Sequence, residues 1–98
     1  MKSINQTLDS IGNWFLQECD GDWEHENQIK IETVSNPGWH VVIDLNGTSL
    51  EKASFESQDN KAEDDWYFIS IKNRQFVATC DMKRLDFVLL KFLELVKA

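Results

Sequence analysis

The chain has 98 residues, of which 42% are hydrophobic and 11% aromatic: enough apolar material for one packed domain, and too little chain for two. Its 17 acids against 10 bases give a net charge of −7, a field that repels nucleic acid and anionic membranes and attracts basic partners. No apolar run is long enough for a transmembrane helix, and the polar Met1–Ser10 stretch lacks the apolar centre of an export signal, so a cytoplasmic protein with two reduced thiols, Cys19 and Cys80, is expected.

Ile4, Leu8, Ile11 and Phe15 recur at helical spacing with Trp14 beside them, which predicts an amphipathic helix over roughly 4–18. Ser3 and Gln6 read as a capping box and Gly21 as the exit, while Gly12 costs the helix about 1 kcal/mol relative to alanine. The polar segment from Cys19 to Asn27 has no period and reads as a loop. Ile29, Ile31 and Thr33 then alternate with Lys30 and Glu32, and Trp39, Val41, Ile43 and Leu45 with His40, Val42 and Asp44. Ser35-Asn36-Pro37-Gly38 joins these runs as a hairpin turn, with Pro37 at its second position and Gly38 free to take positive φ.

Asn46-Gly47 marks another tight turn, followed by a weaker strand within 48–55. Residues 56–65 are almost wholly polar and are expected to form an exposed, mobile loop. Trp66–Lys72 and Gln75–Cys80 read as strands around an Asn73-Arg74 turn. Asp81 is placed to cap a last helix over about 82–97. The broad apolar face of that helix runs through Leu85, Val88, Leu89, Phe92, Leu93, Leu95 and Val96, whereas Phe87 and Leu90 point away from it. They serve either as a partner contact or as seats for a covering loop. The whole is a single α+β domain, 1–98: an antiparallel meander of four or five strands with the N- and C-terminal helices on one face.

The acidity is uneven. Residues 1–49 set eight acids against Lys2 and Lys30 and carry −6; residues 50–98 set nine acids against eight bases and carry −1. The densest run is Glu18-Cys19-Asp20-Gly21-Asp22-Trp23-Glu24-His25-Glu26. Asp20, Asp22 and Glu24 stand like the first three ligands of a calcium loop, but His25 occupies the position that needs glycine and Ile31 the one that needs glutamate. Cys19, His25, His40 and Cys80 are zinc-ligand types without zinc-site spacing. Neither metal, nor any cofactor, is expected.

Carboxylates around Trp23 suit a protein-binding surface, charge for steering and a flat ring for an anchor, unless Trp23 packs inside. No phosphate loop, nucleophile elbow or paired-histidine helix is present, and nothing marks either cysteine as an activated nucleophile. A non-enzymatic binding protein is therefore expected. The partner surface is assigned to Glu18, Asp20, Asp22, Trp23, Glu24, His25 and Glu26, with Asp65, Phe87 and Leu90 as further contacts. A small metal- or ligand-binding regulatory domain that uses the acidic loop is the alternative, and a thiol enzyme on Cys19 or Cys80 the third choice.

Trp14-Phe15 ahead of Cys19-Asp20-Gly21-Asp22-Trp23-Glu24-His25 resembles the opening of the immunity protein 53 family. The resemblance continues through Ile31-Glu32-Thr33, Asn36-Pro37-Gly38-Trp39, Ile43-Asp44-Leu45, Asp65-Trp66, the Phe76 strand and the leucine-rich final helix, and so covers nearly the whole chain. It implies an α+β immunity protein of a bacterial polymorphic toxin system, encoded beside its toxin and protecting the producing cell. The expected partner is the cognate toxin domain, such as a nuclease with a basic face; the family supplies no catalytic mechanism and no single toxin class.

Overall fold

The computed structural model describes residues 4–35 and 37–97. In chain order the elements are α1 (Ile4–Glu18), α2 (Trp23–Glu26), β1 (Ile29–Val34), β2 (Gly38–Asp44), β3 (Phe55–Ala62), β4 (Asp65–Lys72), β5 (Gln75–Cys80) and α3 (Leu85–Lys97). The strands make one antiparallel five-stranded sheet, and α1 and α3 share a core with one of its faces. This is the α+β arrangement that the hydrophobic pattern predicts.

The strand order differs from a meander: it is β1-β2-β5-β4-β3, so β2 pairs with β5 and not with β3. Apolar content explains the order. Phe76, Ala78 and Cys80 of β5 are fully buried and need a strand on either side, which β2 (Val41, Ile43) and β4 (Ile69, Ile71) supply. A meander would place the polar β3 at the centre and leave β5 on an edge. Residues 45–54 make the crossover instead. They form turns rather than the strand expected there, with Leu45 and Thr48 buried and Leu50 and Ala53 packed on the core.

The 56–65 segment is also corrected, from mobile loop to strand. β3 pairs with β4 from Phe55 opposite Ile71 to Ala62 opposite Asp65, with a register shift between Asn60 and Ala62. Its period of two exists, but polar residues carry it: Phe55, Ser57 and Asp59 are half-buried, while Glu56, Gln58 and Asn60 are exposed. An edge strand needs only one bonded neighbour, and a charged edge resists pairing with other chains. Asn73 and Arg74 both adopt positive φ (54 and 64), as a two-residue hairpin turn between right-twisted strands requires.

Both long helices meet on Phe92, whose ring sits edge-to-face with Trp14 at 4.9 Å and Phe76 at 5.1 Å. Seating Trp14 there turns α1. Its buried face is Thr7, Ile11 and Trp14, one step round from the Ile4–Leu8–Ile11–Phe15 stripe, and Ile4, Leu8 and Leu16 are left exposed. The capping box falls on Ser3, outside the described residues. α3 begins at Leu85 rather than 82. Asp81 first ties down the turn before it, its carboxylate accepting from the Lys83 amide (2.7 Å) and from the Trp66 amide of β4 (2.9 Å).

Gly38 serves close packing, not a positive φ. A Cβ there would collide with the Cys80 carbonyl oxygen and crowd the Trp66 ring at 3.0 Å. Trp39, next to it, is half-buried and donates its indole N–H to the Met82 carbonyl (3.1 Å). Gly38-Trp39 is thus a packing device: a glycine lets β2 approach β5 closely, and a tryptophan fastens the chain that leads into α3.

Candidate functional site

The acidic run is more ordered than a loop, because its own carboxylates build α2. Asp20 Oδ1 accepts from the amides of Asp22 (2.9 Å) and Trp23 (2.7 Å), and the Glu24 carboxylate reaches back to the amides of Asp20 and Gly21, each at 3.1 Å. This reciprocal clamp satisfies amides that a helix start leaves without partners. Gly21 lies inside it at φ 97, a conformation open to glycine. The bonds favour ionised carboxylates: those from the Trp23 and Asp22 amides hold Asp20 below the usual carboxylate range, and those from the Glu24, Gly21 and Asp20 amides do the same for Glu24.

Trp23 packs into the frame and is not free on its surface. Its ring packs against Phe15 at 5.1 Å and Trp14 at 6.1 Å, and its N–H donates to the Asn46 carbonyl at 2.5 Å. Half-buried by these contacts, it is not a free anchor. Buried Asn27 completes the joint: its side-chain N–H donates to the Trp23 carbonyl (2.9 Å), and its carbonyl oxygen accepts from the Asn46 side chain (2.9 Å). In the sequence Asn46 reads only as part of a turn and Asn27 as the end of a loop. They stand just outside the two ends of the β1–β2 hairpin, and periodicity does not register a bond between residues so placed.

With Asp20, Trp23 and Glu24 committed to the frame, Asp22, His25 and Glu26 remain exposed and Glu18 half-exposed at the end of α1. Glu51 adds a carboxylate close by, its oxygen accepting from the Gly47 amide (2.8 Å). One end of the molecule therefore presents carboxylates from α1, α2 and the 45–54 crossover on a rigid support.

The other expected contacts lie elsewhere. Asp65 pairs with Arg84, whose guanidinium also approaches Asp81 at 3.5 Å and stacks over Phe87 at 5.3 Å. Phe87 packs on Tyr67 at 4.9 Å and is half-buried, as is Leu90. Asp65 and Phe87, with Arg84 and Tyr67, thus join β4 to the start of α3.

Neither thiol is prepared for nucleophilic work. Burial pushes Cys80 up to about 11, with Asp81 adding to the effect. Burial, then the Glu24 and Asp20 charges, also raise Cys19, whose S–H donates to the Phe15 carbonyl (3.2 Å). His40 is engaged with the Thr79 hydroxyl across the β2–β5 pair (3.1 Å). Among the described residues no three His, Cys, Asp or Glu side chains gather as a metal site, and no helix is long and apolar enough to cross a membrane.

Fold and surface together define a small α+β protein that holds charged side chains on a tightly bonded frame. The sequence matches the immunity protein 53 family over residues 8–97, and the chain belongs to that family. Membership makes it an immunity protein directed against a toxin. No curated protein and no solved structure matches the chain.

Proposed function

We propose that this protein is the cytoplasmic inhibitor of a polymorphic toxin system, acting by stoichiometric binding and not by catalysis, with its acidic end laid on a basic face of the toxin. The observation that carries the reading is the division of labour within the acidic run. Asp20 and Glu24 spend their charge on backbone amides, while Asp22 and Glu26, at the start and end of the same short helix, are exposed to solvent. A stable fold has no use for unpaired like charges held together, whereas a basic partner does. Toxins that cut nucleic acid carry basic faces because they must hold phosphates, and carboxylates placed there compete with substrate. Exposed charges act chiefly on the rate of encounter, which suits an inhibitor that must catch a toxin before it acts.

The test is the pair Asp22→Lys with Glu26→Lys, which leaves the Asp20–Glu24 clamp intact. Association with the toxin encoded beside this gene is followed by stopped flow at low salt. A slower association than wild type, with the difference shrinking as salt rises, supports the reading. An association rate equal to wild type removes the acidic end from the interface.

A further inference from the structure

On the side of α1 that Trp14 turns outward, Gly12, Phe15 and Leu16 form an open notch with Ile29 of β1. Leu16 is 70% exposed, and nothing lies within 4 Å of where a Gly12 Cβ would stand. Leu8, one turn before Gly12, and Ile31, two residues along β1 on the same sheet face, are also exposed. The notch opens beside β1, an edge strand with β2 as its single neighbour. Its surroundings are acidic: Asp9 and Glu18 flank it on α1, and Glu26 ends α2 three residues before Ile29. Lys30, the described base of residues 1–49, alternates to the opposite face of β1.

We infer that this notch is the apolar anchor site of the complex, receiving an aliphatic or aromatic side chain carried on a basic segment of the toxin. The inference rests on the toxin-binding reading and supplies what that reading lacks. Exposed carboxylates set the encounter rate, but long residence needs a desolvated apolar contact, and Trp23 is committed to the fold. Charge selects the occupant. Residues 1–49 carry −6, so a second copy would bring like charge onto like, whereas an apolar side chain flanked by lysine or arginine meets both the notch and its rim. The notch abuts the acidic end through Glu18 and Glu26, so one basic segment can engage both.

The experiment uses two variants of the full chain, Leu16→Ala, which strips the notch wall, and Gly12→Leu, which fills the notch. Both positions are open, so the fold should survive, and circular dichroism checks it. Dissociation from a catalytically inactive form of the adjacent-gene toxin domain is measured. The expected result is at least a tenfold faster dissociation for both variants, with association unchanged. Wild-type dissociation in folded Leu16→Ala overturns the notch while leaving direct binding in place. If the wild-type chain forms no complex with the toxin, both the notch and the function it rests on fall. Self-association of the wild-type chain that Gly12→Leu abolishes would assign the notch to a second copy and overturn the basic occupant.

Discussion

Two glycines with opposite surroundings show how much a single Cβ decides. Gly38 has no room for one, so Gly38→Ala should lower stability by about 1–3 kcal/mol, the usual cost of forcing a carbon into a packed site. Gly12 has open space on a helix, so Gly12→Ala should raise stability by up to about 1 kcal/mol. Urea unfolding of the two variants checks both signs at once. Cys80 gives a pH prediction of defined sign. Its folded value of about 11 lies above the ordinary thiol range, near 8.5, so the folded state keeps a proton that the unfolded chain gives up. Its contribution is intact below that range and is lost as pH rises from about 8.5 through 11. Unfolding midpoints measured across that span should fall with pH, and fall less steeply in Cys80→Ala.

At the scale of elements, α2 depends on two ionised carboxylates. Asp20 and Glu24 are both held below their usual range, so the stability they contribute is present above that range and lost as pH falls through it. The NMR signal of the Trp23 indole N–H, resolved from those of the other three tryptophans, should therefore report loosening of α2 in acid before the core unfolds, and Asp20→Ala should show the same loosening at neutral pH. A Trp23 signal that changes only with global unfolding would show that α2 does not rely on the clamp. Legibility in the sequence followed the same chemistry. Helices α1 and α3 and strands β1, β2, β4 and β5 announce themselves because apolar residues carry their period. β3 does not, since Glu56, Gln58 and Asn60 on one face alternate with Ser57 and Asp59 on the other, and every template based on hydrophobicity reads the segment as a loop. α2 is hidden for a related reason: hydrogen bonds from Asp20 and Glu24, rather than an apolar stripe, hold it in shape. Hydrogen exchange should show the β3 amides bonded to β4 protected well above those of the Glu63-Asp64 turn.

At the scale of the molecule, the acidic end was readable as composition, but its sorting into frame and surface was not. Sequence places Asp20, Asp22, Glu24 and Glu26 in one run; only the fold shows that alternate members bind backbone and solvent. The notch was hidden because Leu8 and Phe15 look like core until Trp14 claims the centre of the helix packing. The acidic end is proposed to neutralise the toxin by direct binding. The most direct measurement is the association rate of this protein with its cognate toxin domain, followed from low to high salt alongside the stoichiometry. A one-to-one complex whose association slows steeply as salt rises is expected. An association rate indifferent to salt, or protection from the toxin without any complex, would contradict it.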